Sequence, residues 1–280
     1  MSQPKTTSVA AEGGHWYHGE TGEQIVEVPR AKGDGMRKPT LRDARKAGNW
    51  YPGCTSVIRA AGMPAGLMRW QQEQAIEAAL ELDAQPEEDR SAYMRRVIGK
   101  AGEIAAEAAT VGTDIHRAIE LYMRGQPYDQ FYHEHVMAAV DALDVACPTA
   151  TTLHPWLSEQ SCVHSSGFGC RVDLHSEIMV ADIKTKKGTL EDWAGRSGRL
   201  TTFPEHWMQL AACRAALVER FGWEPKQQGA GIVYVSRDHA GVAEFVPVTE
   251  EQLDQGWAMF GGLLAFWKAS NRYDPTEWRA

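Results

Sequence analysis

No stretch of this 280-residue chain is long and apolar enough to span a bilayer, and MSQPKTTSVAAEGG at its start lacks the hydrophobic core of a secretory leader. A cytosolic protein is therefore expected. Cysteine is sparse: Cys54, Cys147, Cys162, Cys170 and Cys213 form no CxxC pair, which leaves no zinc knuckle or four-cysteine iron–sulfur cluster to expect. Reduced, mostly buried thiols are the expectation. Positive charge is not in excess either. Lys and Arg number 29 against 37 Asp and Glu, for a formal net charge of −8, which excludes a protein that coats nucleic acid through a general basic surface. An enzyme with carboxylates gathered round a metal beside a local basic groove stays possible. Internal repeats and low-complexity tracts are also missing.

What is present suffices for a packed core: 43% hydrophobic and 24% charged residues is ordinary globular composition. Residues 1–14 read as disordered, small and polar without periodicity. HWYHGETGEQIVEVP predicts a hairpin around Gly19–Gly22. RAKGDGMRKPTLRDARKAG follows as a loop with seven Lys/Arg against two Asp, either solvated or a nucleic-acid contact. Helical patterns come next. There is a short helix before a break at Gly62–Pro64, a longer one after it, a third across PEEDRSAYMRRVIGKAGEIAAEAATVGTDIHRAIELYMRG interrupted near Gly112, and a fourth in YDQFYHEHVMAAVDALDVA. His133 and His135 sit two apart on that last helix and read as surface residues.

From Thr151 to Lys186 the pattern changes to strands, and a loop from Lys187 to Pro204 leads into a helix that ends at Gly222. Two more strands and a closing helix follow, its start marked by Thr249 and Gln252 at capping-box spacing. The order predicts an α/β fold, a small central mixed β-sheet flanked by helices, with a largely helical N-terminal elaboration over 15–109 packed as one domain with 110–280.

The chemistry concentrates in VDLHSEIMVADIKTKKG, residues 172–188. Asp182 and Lys184 are two apart on a predicted strand and so share a face, and a turn near Ser176 brings Asp173 on the preceding strand beside Asp182. Two adjacent carboxylates repel unless a cation lies between them, and hard oxygen ligands suit Mg²⁺ or Mn²⁺. A polar sheet face with an Asp–Lys pair fits the same spacing. His116 and Glu120 stand at i and i+4 on one helix, Glu159 on the strand before Asp173, and Gln209 on the helix after Lys184.

Taken in order, Gly112, Thr113 and His116, then Gly169 and Asp173, then Asp182-Ile183-Lys184-Thr185, then Gln209 resemble the PD-(D/E)xK nuclease superfamily, most of all its RecB-like branch of phage-type exonucleases. YPGCTSVIRAAGMPAGLMRW is similar to the segment ahead of the core in such exonucleases. The resemblance covers roughly residues 110–215. It implies a restriction-endonuclease-like nuclease core, a metal site of His116, Asp173, Asp182 and the Ile183 backbone carbonyl with one or two Mg²⁺ or Mn²⁺, and catalysis by Lys184 with Gln209 supporting it or a phosphate. Glu120 and Glu159 would stand behind the ligands. The metal is expected to lower the lysine's pKa. No iron–sulfur cluster is expected.

The implied activity is Mg²⁺-dependent DNA exonuclease action at ends, in phage-type recombination or DNA processing, with a single-strand-annealing or other recombination protein as a possible partner, in the bacterial cytoplasm if phage-encoded, and with no membrane. A structure-specific endonuclease or a non-catalytic binding module of the same fold are the alternatives. Where the family's glutamine helix usually reads QxxxY, this chain has Cys213. In the loop after the lysine, Lys186, Lys187, Arg196 and Arg199 are candidates to neutralise phosphates, and Trp193 and Phe203 to stack on unpaired bases.

Overall fold

Apolar segments of the second half assemble into a five-stranded sheet in a computed structural model that describes residues 15–62, 65–148, 155–194, 199–224 and 227–278. The expectations for residues 1–14 and for a strand start at 151–154 fall outside these. In chain order the elements are β1 (Trp16–His18), β2 (Gln24–Ile25), β3 (Val28–Pro29), β4 (Met36–Arg37), α1 (Leu41–Ala47), β5 (Trp50–Pro52), α2 (Cys54–Ile58), α3 (Ala65–Glu81), α4 (Arg90–Met123) and α5 (His133–Ala146). There follow β6 (Leu157–His164), β7 (Phe168–His175), β8 (Met179–Lys186), α6 (Leu190–Ala194), α7 (Pro204–Phe221), β9 (Gly229–Ser236), β10 (Ala243–Val248) and α8 (Glu250–Asn271).

The large sheet has the order β10-β9-β8-β7-β6, with β8 and β9 parallel and every other pair antiparallel. The parallel step requires a crossover, which α7 supplies. Val172, Val180, Ile232 and Tyr234 pack with Leu210, Leu217, Leu253 and Phe260 of α7 and α8. Leu174, Ala181, Ile183 and Val233 pack with Ile115, Ile119, Val136 and Leu143 of α4 and α5. This is the expected mixed sheet between helical layers.

A second sheet, β2-β1-β5, closes over the end of β7 through a parallel bridge between Gly53 and Gly169. Gly169 is required there: a Cβ would collide with the Tyr17 ring. Trp16 packs edge-on to Trp267 of α8, 6.0 Å between ring centroids, so the N-terminal elaboration shares a core with residues 110–280.

Three expectations need correction. The basic segment after the first hairpin is not all loop, because Leu41–Ala47 is helical, started by Thr40 and Asp43 and with Arg37 ion-paired to Asp43 at 2.7 Å. The long helix has no break near Gly112; α4 runs unbroken for 34 residues and crosses the 109/110 boundary. One glycine costs a helix only ~1 kcal/mol, too little to end this one. His135 is buried at 7% exposure against the sheet-facing side of α5, not a surface residue, although His133 is exposed. All five cysteines are free and buried, as expected. Among the described residues no helix is long and apolar enough to cross a membrane.

Candidate metal centre

β7 and β8 pair only over Leu174↔Ala181 and His175↔Val180. Beyond those two pairs the strands part, and the freed Ile183 N–H donates instead to Asp173 Oδ2 at 2.9 Å. The parting opens a cleft of about 390 Å³ floored by the strand carboxylates and walled by α4, α2 and α7. Gly112 brings α4 close enough to form that wall: a Cβ there would stand 2.5 Å from Thr185 Oγ1. The glycine and the histidine of the GTxxH pattern thus act together, one permitting the approach and the other using it.

His116 reaches from α4 to 2.8 Å from the Ile183 carbonyl oxygen and 3.5 Å from Asp173 Oδ2. Glu159 joins them from β6. One ligand atom each from His116, Glu159 and Asp173 lie within 4.8 Å of one another. Glu159 lies between the cross-strand pairs Ser158↔Leu174 and Gln160↔Val172, so it faces Asp173 across the ladder. Its φ of 59° is left-handed, a conformation that costs a non-glycine residue ~1 kcal/mol or more. The Arg171 guanidinium holds the Glu159 carboxylate and lies 3.6 Å from Glu120 Oε1, which in turn takes Arg124 at 2.8 Å. Burial raises the Glu120 pKa, with Arg124 and Arg171 opposing it.

The second group is built on β8 and α7. Lys184 Nζ lies 2.8 Å from Asp182 Oδ2 and donates to Gln209 Oε1 at 3.3 Å, while Gln209 Nε2 donates to Asp182 Oδ1 at 2.5 Å. Asp182 is buried, and burial pushes its carboxyl above the usual range against the pull of Lys184. For Lys184, burial alone would lower the pKa, but the Asp182 and Asp173 carboxylates more than offset it, so the ammonium is held above the ordinary lysine value. The protein's own charges act opposite to the lowering expected from a metal.

The predicted residues therefore meet in one cleft but divide differently from the expected ligand set. His116, Asp173 and the Ile183 carbonyl converge, Glu159 stands with them, and Asp182 turns to Lys184 and Gln209. This donor set of one imidazole and hard oxygens suits a divalent cation. In octahedral coordination at about 2.1 Å, neighbouring ligand atoms lie about 3 Å apart, between the 2.8 and 3.5 Å found around His116 Nε2.

Of the proposed phosphate and base contacts, Lys187 and Arg199 are exposed, Lys186 lies half-buried over the Tyr234 ring, and Arg196 falls outside the described residues. Trp193 is corrected: it is buried, donates its indole N–H to the Lys187 carbonyl at 2.8 Å and cannot offer a stacking face. Cys213 points into the core with Cys170 and Cys54, so no hydroxyl stands at the QxxxY position. Arg171, Arg59 and Arg117, none of them among the residues expected from sequence, also line the cleft. Arg171 was open to discovery, since it sits two residues from Asp173 on a predicted strand. Compared with known proteins, the chain matches no family model and no curated protein sequence.

Proposed function

We propose that the chain is a Mg²⁺- or Mn²⁺-dependent deoxyribonuclease with a restriction-endonuclease-like core of the RecB-like branch, hydrolysing phosphodiester bonds at DNA ends. The observation that carries this reading is the meeting of two groups in one cleft: His116, Glu159 and Asp173 beside the Ile183 carbonyl, and the Asp182–Lys184–Gln209 triangle. A polar sheet face would not aim an imidazole, two carboxylates and a carbonyl oxygen at one point.

His116, Glu159, Asp173 and the Ile183 carbonyl would hold the ion, which when bound supplies a Lewis acid for the phosphoryl oxygens and a more acidic water. Lys184 contributes position. Two of its three N–H groups have fixed acceptors in Asp182 and Gln209, which leaves the third for the attacking water or a non-bridging phosphate oxygen. Its raised pKa keeps it cationic, suited to stabilising charge on the phosphate as the water attacks. Asp182 and Gln209 fix that ammonium, and Arg59 and Arg117 on the cleft wall provide cations for flanking phosphates.

The test is degradation of end-labelled linear DNA beside a covalently closed circle, with and without Mg²⁺. Loss of the linear substrate alone supports an exonuclease. Cleavage of the circle would make the enzyme an endonuclease, and metal-independent or absent cleavage would overturn the reading.

A further inference from the structure

The turn that joins β6 to β7 carries a cluster that the cleft does not use. His164 Nδ1 accepts the Ser166 N–H at 3.1 Å, so that nitrogen bears the lone pair, and it lies 2.7 Å from the Ser166 hydroxyl. The ring proton is then on Nε2, which stands 3.2 Å from Glu219 Oε2 on α7. Glu219 is held in turn by Ser165, whose N–H donates to it at 2.9 Å and whose hydroxyl donates at 2.7 Å. The imidazole is clamped, stacked on Phe168 at 5.2 Å between centroids and edge-on to Trp257 at 5.4 Å. Closing the turn needs none of these side chains, because the Gly167 N–H already donates to the His164 carbonyl at 2.9 Å.

Ser166 borders a cavity of about 750 Å³ against α8, of a size that holds a small molecule. Trp257, Leu264 and Ala265 give this cavity an apolar wall. Lys268 lines it as well, with its ammonium paired to both oxygens of Asp274 at 2.9 and 3.0 Å. That ammonium lies so close to the turn that a Cβ on Gly167 would stand 3.3 Å from it. The glycine, at φ 93°, thus lets a cation lie beside the residue that follows Ser166. The linings of this cavity and of the cleft share no residue.

We propose that Ser166, His164 and Glu219 form a second, metal-independent active site that hydrolyses carboxylic esters with an apolar acyl group. Nucleophile, base and orienting carboxylate follow one another by hydrogen bonds, the arrangement that activates a serine whatever the fold around it. Burial holds the His164 pKa below its ordinary value against the pull of Glu219, so the imidazole is neutral at neutral pH and can take up a proton. Ser166 Oγ bonds to the ester carbonyl carbon as its proton passes to His164 Nδ1, and the carbonyl electron pair moves onto oxygen, where Lys268 supplies positive charge. Collapse breaks the bond to the alcohol, which leaves with the proton from His164. Water then gives a proton to Nδ1 and bonds to the acyl carbon. The acyl–Oγ bond breaks, Oγ recovers the proton and the carboxylic acid departs. Glu219 stays ionised throughout and faces the imidazolium. The inference is independent of the function proposed above.

The test is hydrolysis of p-nitrophenyl butyrate by the full chain in EDTA, beside labelling with a fluorophosphonate read by peptide mass spectrometry. The expected result is turnover without metal, the label on Ser166, and a loss of ~100-fold or more in Ser166→Ala with an unchanged far-UV circular dichroism spectrum. Glu219→Gln keeps an oxygen acceptor for Ser165 but loses the charge, and is expected to lower kcat ~10-fold or more at unchanged KM, a split that a merely structural role would not give. A fluorophosphonate that leaves Ser166 unlabelled would overturn the proposal, as would wild-type hydrolysis by Ser166→Ala.

Discussion

The Ile183 backbone N–H donates to the Asp173 carboxylate at 2.9 Å across the gap where β7 and β8 have ceased to pair. One oxygen of Asp173 therefore replaces a missing strand carbonyl and also stands 3.5 Å from His116. The side chain that repairs the sheet is the one at the centre of the cleft, so structure and proposed chemistry are coupled at this position.

That coupling makes two substitutions separable. Asp173→Ala leaves the Ile183 amide without its acceptor and is expected to cost ~1–3 kcal/mol of stability together with activity. Asp173→Asn keeps an oxygen acceptor for the amide and should retain most of the stability while cleavage falls ~100-fold or more, the scale of a lost transition-state group. Denaturant melts beside a cleavage assay read both quantities. Equal activity in Asp173→Asn and wild type would remove Asp173 from the site.

Glu159 reaches the centre on a left-handed backbone with Arg171 on its carboxylate. Glu159→Gln is expected to weaken Mn²⁺ binding ~10–100-fold, the scale for a group that holds or supports a metal. Isothermal titration of wild type and variant measures it. Unchanged Mn²⁺ affinity would return Glu159 to a purely structural role.

Gly112→Ala sets two effects of opposite sign against each other. Helix propensity favours alanine by ~1 kcal/mol, but the new Cβ would stand 2.5 Å from Thr185 Oγ1. Overpacking of this kind costs ~1–3 kcal/mol, so net destabilisation is expected, and Gly112→Ala with Thr185→Ala should recover much of it. A more stable Gly112→Ala protein would show that α4 does not depend on close approach to β8.

Burial holds His135 below its ordinary value, and it lowers His206 to about 4. Each is neutral in the folded protein where the unfolded chain takes up a proton, near pH 6.5. The unfolded state then binds more protons, so stability rises with pH in this window and is lost as pH falls from about 6.5 toward 4. Denaturation midpoints across that range should show the decline, and His135→Leu should flatten part of it. A pH-independent midpoint would contradict the burial of these imidazoles.

Much of the site could be read from alternation and spacing alone. Period-two geometry placed Asp182 and Lys184 on one face, and the 2.8 Å pair agrees. The capping spacing of Thr249 and Gln252 marked the start of α8. Thr40 and Asp43 offered the same signal for α1, but the dense Lys and Arg around them read as solvated loop. Glu159 was less legible because its place beside Asp173 depends on a left-handed residue and on strand register, neither written in local pattern. Trp193 and His135 were misjudged for a single reason. Residue type suggested solvent or ligand, whereas tertiary packing buried both.

The most direct measurement compares wild type and Lys184→Ala for Mn²⁺ binding and for cleavage of end-labelled linear DNA in the same preparation. The lysine lies in the second group of the cleft, ion-paired to Asp182 and outside the cluster of His116, Glu159 and Asp173. The variant is therefore predicted to bind Mn²⁺ with near wild-type affinity while cleavage falls ~100-fold or more. Wild-type cleavage by Lys184→Ala would contradict the account.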